Sequence, residues 1–187
     1  MKNLKALLLL GTGGVLLGAC DAVIVGERVG PGWTYYDGDL SYATHKGSIV
    51  THIAGNPFGG SNSTFADTVR KMVYGQTTGR RVEFVVQAEK RSLTPYKVVL
   101  AFNAPPNIDG HDLCKSRDKT TTAGTSGTLR ATIAFCEGDR LKSDAYAQAG
   151  GIGGAGDKKF LNVVQQITRS MVPPNGSDDS GGDSNIN

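Results

Sequence analysis

Two stretches of this sequence keep an alternating pattern that suits a β-strand. "YKVVLAFNA" (96–104) sets Tyr96, Val98, Leu100 and Phe102 on one side. "TLRATIAFC" (128–136) does the same with Leu129, Ala131, Ile133 and Phe135, and leaves Cys136 on the other side. Successive strand side chains point to opposite faces, so each run has an apolar face to bury and a backbone that needs neighbouring strands. "RVEFVVQAE" (81–89) adds a run with Val82, Phe84 and Val86 together, and "GSIVTHIAG" (47–55) adds another. "DRLKSDAYAQA" (139–149) reads as a fifth strand after a tight "EGD" turn. The short "SLTP" link (92–95) predicts that 81–89 and 96–104 form an antiparallel hairpin.

Two helices interrupt the strands. Over 64–74, Phe65, Val69, Met72 and Val73 share a face, "TFAD" reads as a capping box starting at Thr64, and Gly75 is placed to stop the helix. Over 157–171, Asp157 is the expected cap and Phe160, Leu161, Val164, Ile167 and Met171 the apolar stripe, ended by Pro173 and Pro174. Consecutive strands with few helices predict an α+β fold: an antiparallel sheet of four to five strands with two helices packed on one face. The other face would carry Glu83, Gln87, Lys97 and Arg130, either solvated or against a partner. With 187 residues, 39% of them hydrophobic, the chain has material for one core. That domain is expected over 38–172. Residues 173–187 read as a polar, disordered tail.

The N-terminus has a different character. "MKNLK" is a short basic segment, and "ALLLLGTGGVLLGA" an apolar one too short and glycine-broken for a stable membrane span. Small residues then lead directly into Cys20. "LGAC", Leu17 to Cys20, resembles the lipobox of bacterial lipoproteins. The resemblance implies that residues 1–19 are a signal peptide cut before Cys20. It also implies that the Cys20 thiol carries a diacylglyceryl group, with an acyl chain such as palmitate on the new amino group. Each buried acyl CH2 contributes ~0.8 kcal/mol, so two or three chains hold a protein where one binds marginally. Asp21 resembles an inner-membrane retention signal of enterobacterial lipoproteins, a rule that is not general across bacteria. Residues 20–37 then read as a lipidated tether whose Trp33, Tyr35 and Tyr36 dock on the domain. The implied location is the bacterial cell envelope, with the domain in the periplasm and the choice of inner or outer membrane open.

Three cysteines is an odd count for an exported chain. With Cys20 acylated, Cys114 and Cys136 remain, and an oxidising compartment favours a disulfide between them. Closing a loop of that size contributes roughly 3 kcal/mol in the chain-entropy account.

The residues that could carry chemistry are few. "DGHD" gathers Asp109, His111 and Asp112 and could hold a divalent cation weakly; a polar turn is the plainer reading. "SRDK", Ser116 to Lys119, matches the S-x-x-K pattern of a serine nucleophile with its lysine, which requires a helix to bring the two together. No histidine sits at metal-ligand spacing, and no resident metal is expected. "GIGGAG" (151–156) matches G-x-G-x-x-G before a helix, but the dinucleotide fingerprint also needs a following strand and a distant acid, so no cofactor is expected. Basic residues come as scattered pairs without interleaved aromatics, which argues against nucleic acid. Basic residues outnumber acidic ones over 38–172, so the body could adsorb on anionic lipid or cell-wall polymers; an ordinary solvated surface explains the same balance.

"GNPF", "YKVVLAFN", "LC", "AFC" and "QQITRSMVPP" together resemble a group of uncharacterised alphaproteobacterial lipoproteins, a resemblance that carries no known activity. Two functions fit these observations. One is a lipid-anchored, non-enzymatic binding or assembly module that meets an envelope protein or the cell wall. The alternative is a small envelope hydrolase acting on peptidoglycan or lipid, with Asp109, His111, Asp112, Ser116 and Lys119 gathered in a cleft.

Overall fold

A computed structural model describes residues 24–27, 38–77, 81–90, 92–116 and 127–172. Cys20, Trp33, Tyr35, Tyr36, Lys119 and the tail from 173 lie outside the described residues. The fold is α+β. Its strands are β1 (Ile24–Glu27), β2 (Ser48–Ala54), β3 (Glu83–Val85), β4 (Ser92–Phe102), β5 (Thr128–Glu137) and β6 (Arg140–Gly150). Its helices are α1 (Asp39–Ala43), α2 (Asn62–Val73), α3 (Gly110–Lys115) and α4 (Lys158–Ser170).

The strands form one six-stranded sheet in the order β1-β6-β5-β4-β2-β3. β4, β5, β6 and β1 pair antiparallel, as the sequence led us to expect for consecutive strands. The expected all-antiparallel sheet is nonetheless wrong, because β2 runs parallel to both β3 and β4. No hairpin joins β3 to β4. β2 lies between them, and "SLTP" belongs to β4 itself. The physical reason is α2. A helix that crosses back over a sheet delivers the next strand parallel to the one it left, so β2-α2-β3 forms a parallel unit. The chain then restarts on the far side of β2, where the buried Ser48 and Ser92 hydroxyls meet at 2.9 Å. Four residues read as tether, Ile24–Glu27, add the edge strand β1. Gly26 leaves room there for the Tyr146 ring, which would stand 2.5 Å from an added Cβ.

Both faces of the central strands are covered. On the first face, Val98, Leu100 and Phe102 of β4 and Leu129, Ala131, Ile133 and Phe135 of β5 meet Phe65, Val69 and Val73 of α2 and Phe160, Val164 and Ile167 of α4. Ala145, Ala147 and Ala149 give β6 a low surface on which α4 rests. α2 and α4 therefore share a face, as expected, but the described residues form four helices, not two, and α3 lies on the other face. α1 joins that layer through Leu40 and Ala43. The buried Lys142 of β6 holds α1 in place, its Nζ 2.9 Å from Asp39 Oδ2 and 3.8 Å from Glu137 Oε2.

The second face is not an open polar surface in its middle. Val99, Ala101, Ala134, Cys136 and Leu141 point that way and pack against Leu113 and Cys114 of α3. Lys97, expected on a face that is solvated or meets a partner, instead donates to the Cys114 carbonyl at 2.7 Å. Gly110 lets α3 lie close to β6, since a Cβ there would stand 2.7 Å from the Asp144 side chain.

α2 begins at Ser61, not Thr64: the Ser61 hydroxyl accepts from Thr64 N at 3.4 Å. α4 begins on Asp157, whose carboxylate accepts from Lys159 N at 2.8 Å. Phe102 is 1% exposed and touches the rings of both Phe65 and Phe160. Phe102→Ala is expected to lower unfolding free energy by about 3–5 kcal/mol. Val86→Ala, at a residue 56% exposed, should change it by no more than about 0.5 kcal/mol. Urea denaturation of the two variants checks both values.

Candidate functional site

The cluster singled out in the sequence folds into α3. Asp109 is its N-cap, with Oδ1 accepting from Asp112 N at 3.0 Å, while Asp112 Oδ2 accepts from Asp109 N at 3.4 Å. This reciprocal pair is a capping box, so "DGHD" is spent on starting a helix. The long polar loop expected over 105–127 thus contains a helix. Ser116 ends it: its φ is −152° and ψ 118°, and its N–H donates to the Asp112 carbonyl at 2.9 Å. S-x-x-K needs Ser and Lys on successive turns, and the chain has left the helix at Ser116. His111 sits half-buried within α3. Among the described residues, no three His, Cys, Asp or Glu side chains gather in a way that could hold a metal ion.

One residue after His111 and Asp112, the chain enters the core. Leu113 and Cys114 are buried, and Cys114 is bonded to Cys136 of β5 with the two Cα atoms 5.6 Å apart. The bridge spans 22 residues and pins α3 to the second face of the sheet.

A different constellation forms at the end of the sheet where β2, β4 and β6 finish and β5 begins. Three loops noted for their residues but not for their proximity meet there. "GNPF" follows β2, and Asn56 folds it: its Oδ1 accepts from Phe58 N at 3.1 Å and its Nδ2 donates to Gly59 O at 2.8 Å. "GIGGAG" follows β6 and leads to Asp157, whose Oδ2 accepts from Gly153 N at 3.2 Å. Between them stands Asn103, just past β4. Its N–H donates to Arg130 O at 2.8 Å and its Oδ1 accepts from Arg130 N at 2.9 Å. That double clamp holds Asn103 at φ +50°, in the left-handed region that asparagine tolerates better than most residues.

These loops enclose a cleft of about 290 Å³. Phe58, Leu129 and Ile152 supply apolar wall, the backbones of Gly127 and Gly153 complete it, and Asn103 lines it. Asn103 is 2% exposed, and its Nδ2 is buried without a hydrogen-bond partner among the described residues. The Arg130 N–H is a donor, so it fixes which branch of the amide is oxygen and leaves NH2 as the free branch. An asparagine closing an alternating apolar run directly before Ala104-Pro105-Pro106 was the one sequence signal of this position, and it carried no indication of which loops it would meet.

The Asp157 carboxyl is held below its ordinary value of 3.8, chiefly by the Lys159 N–H and then by the Gly153 N–H. It therefore stays ionised near neutral pH, beside the cleft wall.

No family model matches the sequence, and no curated protein matches it. Among solved structures, the PelC dodecamer from Paraburkholderia phytofirmans aligns over 80% of this chain and 98% of that one, with 9% identity and a TM-score of 0.40. A variant of that dodecamer in another crystal form aligns at 8% identity with a TM-score of 0.39. A likeness at that level does not extend to function.

Two expectations follow. A carboxyl with a lowered folded pKa stabilises the fold above its unfolded pKa, and that contribution is lost as pH falls through the folded value. Acid titration of stability below about pH 4 should therefore contain an Asp157 component. Asp157→Asn, which keeps a capping side chain, should flatten that part of the curve in denaturation midpoints measured across acidic pH. Thiol alkylation of the folded protein without reductant should leave Cys114 and Cys136 unmodified. Reduction should lower stability by about 2–5 kcal/mol. Ready alkylation of both would contradict the bridge.

Proposed function

We propose that this chain is a lipid-anchored protein of the bacterial cell envelope that works as a non-enzymatic binding or assembly module. One observation carries the reading. The Cys114–Cys136 bridge occupies two of the three cysteines, and the third is Cys20 within "LGAC". A cysteine left over in a disulfide-bonded, exported protein needs a role, and the basic and apolar segments before Cys20 suit lipid attachment. The attached chains hold the domain at the membrane surface by burying acyl CH2 groups. No described helix is long and apolar enough to cross a membrane, so the acyl chains are the anchor this proposal depends on.

The geometry of α3 favours binding over hydrolysis. The Asp109 and Asp112 carboxylates are engaged with backbone N–H groups, and Ser116 lies where the helix has ended. Loops gathered around a cleft that combines apolar side chains with the Asn103 amide and the Thr128 hydroxyl suit recognition of a ligand. In cells expressing the full chain, labelled palmitate should be incorporated, and Cys20→Ser should abolish incorporation and release the domain from the membrane fraction. Continued labelling of Cys20→Ser would overturn the anchor.

A further inference from the structure

We propose that the cleft at the end of the sheet binds a small, neutral ligand through a secondary-amide carbonyl, which accepts a hydrogen bond from Asn103 Nδ2. This inference does not rest on the lipid anchor; it rests on the cleft alone.

The donor comes first. A buried N–H without an acceptor costs roughly 1–3 kcal/mol, and most buried polar groups in folded proteins avoid that cost. Asn103 cannot turn to avoid it, because its backbone N–H and its Oδ1 are both committed to Arg130. Its Nδ2 remains, on a residue that lines the cleft. Nδ2 has almost no exposed surface, so the wall must give way locally, by a rotamer change, as the acceptor enters. The partner must therefore bring an acceptor, and an amide carbonyl is a strong one.

The rest of the wall defines the ligand's body. Phe58, Leu129 and Ile152 favour a methyl or other small apolar group next to that carbonyl. Thr128, also in the wall, has a hydroxyl able to accept from the amide N–H. The volume of about 290 Å³ is near the lower end for ligand pockets, which limits the occupant to a small molecule or a single group of a larger one.

Charge among the described residues disfavours an anion. α2 and α4 both start at this end of the sheet, and helix N-termini attract negative charge. Both are already capped by their own side chains, Ser61 and Asp157. The Asp157 carboxylate is bonded to the N–H of Gly153, itself part of the wall, and repels a second negative group. Among the described residues, no lysine or arginine lines the cleft to offset that repulsion. An acetamido group and a peptide amide both satisfy these requirements.

The test is an NMR titration of the full-length chain in detergent micelles. It follows the Asn103 side-chain amide and the methyls of Leu129 and Ile152. N-acetylglucosamine, N-acetylalanine methylamide and acetate are added separately. The expected result is saturable shifts at all three residues with at least one of the two amides. A response to the sugar alone assigns an acetamido saccharide, and a response to the alanine derivative alone assigns a peptide. Asn103→Asp keeps the acceptor for Arg130 N and removes the donor, and it should weaken binding at least tenfold. Ile152→Trp, at a half-buried loop position, should fill the cleft and abolish binding even if Asn103→Asp fails to fold. Absence of shifts with both amides, tighter binding of acetate, or undiminished binding by Ile152→Trp or by folded Asn103→Asp would overturn the proposal.

Discussion

Four phenylalanine rings hold together the end of the molecule on which everything else is built. Phe58, Phe65, Phe102 and Phe160 come from a loop, α2, β4 and α4, with ring centroids 5.0–6.1 Å apart. Their edge-to-face and tilted contacts add to large apolar burial. Because each ring belongs to a different element, the cluster fixes both long helices against the sheet and against each other. Phe58 also reaches the cleft wall, so the cleft stands directly on this aromatic cluster.

The opposite face depends on a covalent bond where the first depends on packing. α3 has six residues and three buried ones, too little apolar surface to hold a helix in place alone. The disulfide to β5, the Lys97 hydrogen bond to the Cys114 carbonyl and the close approach at Gly110 do so together. The consequence is a sheet whose central strands are buried on both sides. This explains why β5 shows an unbroken run of buried residues from Ala131 to Cys136, although its sequence alternates in size.

Much of the local structure was legible. The faces of β4 and β5, the two long helices, Asp157 as a cap and the pairing of Cys114 with Cys136 all follow from alternation, helical spacing, cap chemistry and cysteine count. The failures have physical causes. "DGHD" looks the same as a ligand set and as a capping box, because both use carboxylates a few residues apart; only the backbone direction distinguishes them. The β3–β4 hairpin failed because a short link between two apolar runs says nothing about a third strand inserted between them. The cover that α3 gives Lys97 was missed because alternation gives a side of the sheet and not what covers it.

By itself, the sequence determined which residues of β4, β5 and the two long helices share a face, because side-chain periodicity is a local property of the backbone. It also isolated Cys20, because two of three cysteines can satisfy each other and the third cannot. Tertiary structure alone decided the direction of β2, which depends on the path of α2 over the sheet. It alone decided that "GNPF", Asn103 and "GIGGAG" share one cleft. Those residues lie far apart in the chain, and only the common end of β2, β4 and β6 brings them together. The unpartnered Nδ2 of Asn103 is of the same kind. An asparagine has no unmet hydrogen bond in a sequence; it acquires one when Arg130 takes its oxygen and the fold removes its water.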